Sequence, residues 1–336
     1  SIPPASPGGV GPDFKIIPNS ELVYGPAAAY FDIHSFLDGY SGYLKVHTED
    51  VDQELLSGPE ILMRVAREYS VNPRVLVALL EYQSGWISQA NPRSSSLDYP
   101  VGFFDSWREG LYRQLSWAAD RLNAGYYDWK AGNSAGWRTS DAAYVPAAAT
   151  INAGTAGVQN VLALLYPEDQ WRQAVSEQGF FATYQSLFGY PFDLAIEPLL
   201  PADLSAPSMQ LPFEPGVPWV FSGGPHSGWG SGSAWAALDF APRGDMLGCN
   251  QSTDWVVAAA DGLIVRSDDG AVVQDLDGDG YEQSGWTILY MHMAANGRGP
   301  VGTQVRAGER IGHPSCEGGV ASASHLHLAR RYNGVW

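Results

Sequence analysis

Between about residues 51 and 190 the apolar positions recur every three to four residues, the period of helices with one buried face. Ile61, Leu62, Val65 and Tyr69 fall on one stripe. Asn72-Pro73 reads as a helix start, because Asn caps free first-turn amides and Pro fits the first helical position. Val75, Leu76, Leu79 and Leu80 then supply that helix's apolar face. Residues 106–123, 157–166 and 180–188 predict further helices. After Trp219 the period changes. Short apolar runs cut by Gly, Asp and Asn predict strands at 236–240, 255–259, 262–266, 271–274, 286–292 and 325–330.

Two stretches follow neither period. The first 20 residues carry five prolines, and residues 1–50 read as an irregular N-terminal tail. Residues 196–218 contain six prolines spaced by Ser, Ala and Glu, which predicts a stiff, extended linker. The fold class expected is therefore α+β and multidomain. An all-α domain (51–195) is joined by a Pro-rich linker (196–218) to an antiparallel β-sheet or sandwich domain (219–336). No internal repeat is visible.

A chain of 336 residues suffices for two cores. Asp and Glu outnumber Lys and Arg 36 to 19, a formal charge of −17, and both halves share the excess. A nucleic-acid binder needs a basic footprint, so that class is excluded, and anionic membrane surfaces are disfavoured. No apolar run reaches the ~18 residues of a membrane span, and no charged-then-apolar leader is present. Ser1 opens a Pro/Gly-rich stretch, as it would if a leader had been removed. The two cysteines, Cys249 and Cys316, suit either one disulfide or two thiols.

The candidate chemistry lies near the C-terminus. In Ser324-His325-Leu326-His327-Leu328 the two imidazoles share one strand face, since side chains alternate with period two. His-x-His alone equally fits a solvated surface. It gains weight beside Gly224-Pro225-His226, beside Asp239 in an apolar run where an unpaired carboxylate would be costly, and beside His292 at the end of another apolar run. No His-Glu-x-x-His helix or Gly-x-Ser-x-Gly elbow offers another hydrolytic route.

In these residues the chain resembles the lysostaphin/LasA-type zinc endopeptidases, which cleave peptide bonds in bacterial cell-wall cross-links. The resemblance covers roughly 217–336. It implies that His226, Asp239 and His327 bind zinc and that His292 and His325 are catalytic, with their division of labour open. Two imidazoles, one carboxylate and an open position suit a catalytic zinc. The implied substrate is a glycine-rich or stem peptide of peptidoglycan, and the implied location is secreted or on the outer side of the cell envelope. In that compartment Cys249 and Cys316 are expected to pair. A non-catalytic peptidoglycan-binding scaffold is the alternative.

Further signals are weaker. Residues 71–86, with Glu81-Tyr82-Gln83-Ser84-Gly85, resemble the start of a lytic transglycosylase-type helical domain, but Gln83 stands where that family places its catalytic acid. An amide cannot protonate a leaving oxygen as an acid does. Glu81 lies about 200° round the helix and is a poor substitute. Asp275, Asp277 and Asp279, with Gly280 next, resemble the first half of a calcium loop, but Trp286 occupies the final acidic position, and an ordinary acidic hairpin loop fits the stretch slightly better. His313 reads as a packing residue. Tyr290, at i, i+2 from His292, reads as a core tyrosine or an oxyanion donor.

Overall fold

The computed structural model describes residues 11–244 and 248–336. The chain divides into two compact units, Ser1–Glu197 and Pro198–Trp336.

The first unit runs α1 (Ile33–Leu37), β1 (Thr48–Val51), β2 (Glu54–Ser57), α2 (Gly58–Tyr69), α3 (Pro73–Ser84), α4 (Ser95–Asp98), α5 (Leu111–Lys130), β3 (Gly136–Arg138), β4 (Tyr144–Pro146), α6 (Ala153–Leu165), α7 (Glu168–Ala174) and α8 (Phe180–Phe188). The Ser57 and Glu60 side chains form a capping box at α2. Asn72 caps α3 by accepting from Arg74 N at 3.0 Å. The long helix α5 buries Leu115, Ala118 and Leu122 and packs against α6. The two helices approach so closely that a Cβ on Gly125 would stand 2.9 Å from Gly157 Cα.

Three expectations need correction. The unit is not all-α, because β1–β2 and β3–β4 form antiparallel hairpins. The helix expected over 106–123 begins only at Leu111, after Gly110 with φ 96° and a 3₁₀ turn at Ser106–Arg108, and continues to Lys130. The expected tail of 1–50 is largely folded core: Ile16, Ile17, Leu22, Val23 and Leu44 are fully buried. Glu21 is buried in an ion pair with Arg74, whose Nε lies 3.0 Å away, and accepts the Tyr184 hydroxyl. Single buried residues separated by turns carry no period, so this segment has no sequence pattern. Residues 1–10 lie outside the described residues.

The second unit is built on a seven-stranded antiparallel sheet in the order β11-β8-β9-β10-β13-β6-β5. Its strands are β5 (Trp219–His226), β6 (Ala237–Pro242), β7 (Val256–Val257), β8 (Gly262–Asp268), β9 (Ala271–Asp275), β10 (Trp286–Met291), β11 (Gln304–Val305), β12 (Arg310–Gly312) and β13 (Leu326–Tyr332). β12 and β7 pair separately. Ile264, Val272, Ile288, Tyr290, Ile311 and Leu326 form the core. All six expected strands are present; β5, β11 and β12 add to them.

The Pro-rich stretch is extended but fastened. Gln210 N donates to Ala259 O at 2.8 Å, Val257 N to Pro212 O at 2.9 Å and Asn333 Nδ2 to Leu199 O at 2.8 Å. Phe213 stacks on Trp219 with centroids 5.1 Å apart. Prolines give no amide protons, yet the carbonyls of such a stretch still accept, and its few apolar side chains find the sheet. It is a strap on the second unit. Among the described residues no helix is long and apolar enough to cross a membrane.

A disulfide joins Cys249 to Cys316 across 67 residues, with Cα atoms 5.3 Å apart, and its loop contains His292. Cross-links over loops of this length stabilise by roughly 4 kcal/mol in the chain-entropy model. Replacing both cysteines by serine should therefore lower unfolding free energy by up to about that amount. Denaturant titration of the double variant, beside a thiol count on the unreduced parent, checks this; two free thiols in the parent would contradict the cross-link.

Candidate metal centre

Strand register assembles the site. His327 in β13 pairs with Asp239 in β6 on one side and with Met291 in β10 on the other. Alternation sends Leu326 into the core and leaves His327 and Asp239 on the opposite face. Gly223 of β5 pairs with Asp239, and a register shift in β5 then brings His226 opposite Ala237. His226 Nε2 lies 2.8 Å from Asp239 Oδ2, and His327 Nδ1 lies 3.3 Å from Asp239 Oδ1. One ligand atom from each of the three residues lies within 4.8 Å of the others. His325 Nε2 is 3.9 Å from Asp239 Oδ2.

The donor atoms converge without satisfying one another. His226 Nε2 and Asp239 Oδ1 are buried, and neither has an aligned hydrogen-bond partner. Buried polar atoms are seldom left unpaired, so two orphans converging on one point suit a cation there. The far ring nitrogens are engaged: His327 Nε2 lies 2.9 Å from Gly228 O and His226 Nδ1 lies 3.2 Å from Ser227 O. Facing a carbonyl requires a proton on that nitrogen, which leaves the other lone pair directed at Asp239. Burial pushes the Asp239 carboxyl up, but the His327 and His226 rings more than offset this, so it stays below its ordinary range. Two neutral imidazoles and a carboxylate fit zinc.

His292 reaches this face through its backbone. β10 ends at Met291, and simple alternation would send His292 to the core side with Tyr290. Instead it is left-handed, with φ 64°, a conformation costing non-glycine residues roughly 1–2 kcal/mol. Its ring sits 4.5 Å from that of His325, centroid to centroid, and 6.2 Å from that of His327. Burial, then the nearby His325, push its imidazole down to about 4. His292 Nδ1 faces Glu317 O at 3.1 Å, and His325 Nδ1 faces Ala323 O at 2.8 Å. Both rings therefore carry the proton on Nδ1 and keep the Nε2 lone pair free.

Tyr290 is no oxyanion donor. Fully buried, its hydroxyl accepts from Ala259 N and donates to Gln274 Oε1, both at 2.7 Å. His313 packs on Trp255 with centroids 3.8 Å apart. A cleft of about 200 Å³ opens beside the site, lined by Ser222, Asp239, Ala241, Ser322, Ala323, Ser324 and His325. A larger groove of about 600 Å³, lined mostly by apolar residues such as Leu204, Met209, Trp235 and Trp336, contains none of the histidines.

The weaker candidates form no part of the His226, Asp239 and His327 cluster. Asp275, Asp277 and Asp279 do converge within 4.8 Å. Asp275 is fully buried and accepts from the amides of Asp277, Gly278 and Gly280. Burial, then the hydrogen bond and charge of Asp275 and the charge of Asp279, push Asp277 up to about 6. In the first unit, Gln83 Oε1 accepts the Tyr166 hydroxyl at 2.8 Å. Glu81 accepts from Ile87 N, Ser88 N and Ser88 Oγ, closing the turn after α3. Sequence reasoning missed Gly223, Gly228 and Glu317, because a missing side chain and a backbone carbonyl leave no motif.

A partly buried carboxylate with three imidazoles around it forms a cluster able to hold a metal, and comparison supplies the family. Residues 15–201, more than half of the chain, match the family described as "LasA, N-terminal domain". The chain belongs to the LasA family. It is 28% identical to Protease LasA of Pseudomonas aeruginosa strain UCBPP-PA14 over 344 residues, covering 95% of this chain and 74% of that protein. Among solved structures it is similar to the deep-sea metalloprotease pseudoalterin, at 32% identity, 39% of this chain, 74% of that one and a TM-score of 0.32. It is also similar to the antimicrobial peptidase lysostaphin from Staphylococcus simulans, at 24% identity, 30% and 38% coverage and a TM-score of 0.21.

Gly223 offers a test of the site that removes no ligand. A Cβ there would stand 2.9 Å from Asp239 Oδ2, so the carboxylate must move. Gly223→Ala should weaken zinc affinity by about 10–100-fold, the scale of other outer-shell changes. Competition against a chelator measures it; unaltered affinity would show that Asp239 has room to spare.

Proposed function

We propose that this protein is a zinc-dependent endopeptidase that hydrolyses peptide bonds in peptidoglycan cross-links on the outer side of the cell. The observation that carries the reading is the pair of orphaned ligand atoms, His226 Nε2 and Asp239 Oδ1, beside His292 and His325. Family membership and the names of its relatives support peptidase chemistry. The narrow cleft walled by Ser222, Ala241, Ser322, Ala323 and Ser324 suits a backbone with small side chains, as in glycine-rich peptides.

His226, Asp239 and His327 would hold the metal. Bound zinc supplies a Lewis acid and lowers the pKa of water to roughly 7. His292 and His325 handle the protons. Each has its Nδ1–H tied to a carbonyl, so each Nε2 is free to take a proton from the attacking water or return one to the leaving amine. The low affinity of His292 for a proton keeps it neutral at working pH. A protonated imidazole beside the tetrahedral oxyanion stabilises it. A non-catalytic scaffold would have no use for a buried His292 and a cleft-lining His325, each with Nδ1 facing a carbonyl, beside the ligand set. We further propose that calcium sits at Asp275, Asp277 and Asp279 and stabilises the second unit.

Ligands and proton carriers separate by measurement. Alanine at His226, Asp239 or His327 should each lose zinc, because two protein ligands are too few to hold it. His292→Ala and His325→Ala should keep zinc and lose about 10²–10⁴-fold in turnover. Elemental analysis beside cleavage of a glycine-rich peptide reads both. If His325→Ala lost zinc while His327→Ala kept it, the roles would be reversed; five unchanged variants would remove the enzyme reading. Separately, millimolar calcium above pH 6 should raise the melting temperature by mass action, and Asp277→Ala should abolish the rise. A flat melting curve rejects the calcium site.

A further inference from the structure

We infer that Ser315 is the positioning residue that holds His292 and His325 in their working geometry; the inference rests on the peptidase reading. Ser315 is only 5% exposed and bonds to both histidines. Its amide donates to His292 O at 2.6 Å, and its hydroxyl donates to the same carbonyl at 3.1 Å. Its own carbonyl accepts from His325 N at 3.4 Å, within a β-bridge between the two residues. The hydroxyl oxygen also accepts from Glu317 N at 3.0 Å, and the Glu317 carbonyl is the one facing His292 Nδ1.

The hydroxyl thus closes a circuit. One of its bonds grips the carbonyl of left-handed His292, and another holds the amide of Glu317, the residue whose carbonyl selects the His292 tautomer. A left-handed histidine relaxes unless its surroundings over-determine it, and relaxation would return its ring towards the Tyr290 side of the sheet. The bonds of the Ser315 hydroxyl go to His292 and Glu317 and to none of the three proposed ligands, and the Ser315 backbone meets the cleft lining at His325, so its effect passes through the two imidazoles.

The test uses the full-length, zinc-loaded chain. Ser315→Ala keeps the amide bond and loses both hydroxyl bonds. It should retain stoichiometric zinc, lower kcat by about tenfold or more, the scale of outer-shell partners, and leave KM within about twofold. Proton–nitrogen correlation spectra of the histidine rings should show His292 protonated on Nδ1 in the parent and mixed between tautomers in the variant. Ser315→Thr, which keeps the hydroxyl, should restore both. Unchanged kcat with an unchanged tautomer would overturn the inference, and so would loss of zinc in Ser315→Ala, which would place the residue in support of the ligands. Should Ser315→Ala fail to fold, the parent spectrum decides: His292 protonated on Nε2 refutes the circuit. An inactive parent with the expected tautomers would instead refute the peptidase reading and leave the positioning role standing.

Discussion

The cross-strand pairing of His327 with Asp239 is the constraint on which the second unit depends. A half-buried carboxylate is costly unless partnered, and here its partners are imidazoles on both neighbouring sides. Hydrogen-bonded register between β13 and β6 sets the His327 contact. The irregular stretch of β5 sets the His226 contact, with Gly223 leaving room for the carboxylate. A one-residue slip of β13 would turn both histidines into the core and Leu326 and Leu328 onto the site face. The apolar core under the sheet and the candidate metal centre above it are therefore fixed by one alignment.

Around this pair the protein directs one ring nitrogen of each of four histidines. Backbone carbonyls of Ser227, Gly228, Glu317 and Ala323 each face one nitrogen of one histidine. Burial, then the nearby His325, favours the neutral imidazole at His292. The strap of residues 198–218 and the disulfide close the surface around the sheet.

The first unit shows how far a helical pattern extends. Its central helices follow from apolar spacing and from caps at Ser57 and Asn72, both local signals. The packing of residues 11–50 over them, with Glu21 meeting Arg74, links positions 53 apart. Gln83, donor-capable but not an acid, is bonded to Tyr166, and Glu81 is spent on a turn.

By itself the sequence determined the division into helical and strand-rich halves and the six principal strands, and it singled out the five candidate residues that the structure brings together. Apolar periodicity and the alternation of side chains are local properties, and the order His, Asp, His, His-x-His is visible in one dimension. Only the tertiary structure decided how these residues meet. The left-handed backbone at His292 breaks the alternation that would have buried it beside Tyr290. The irregular edge of β5 swings His226 over Asp239, and the carbonyls that choose each tautomer come from peptides with no side-chain signature. Such features depend on register and on hydrogen bonds between distant segments, and no residue's identity records them.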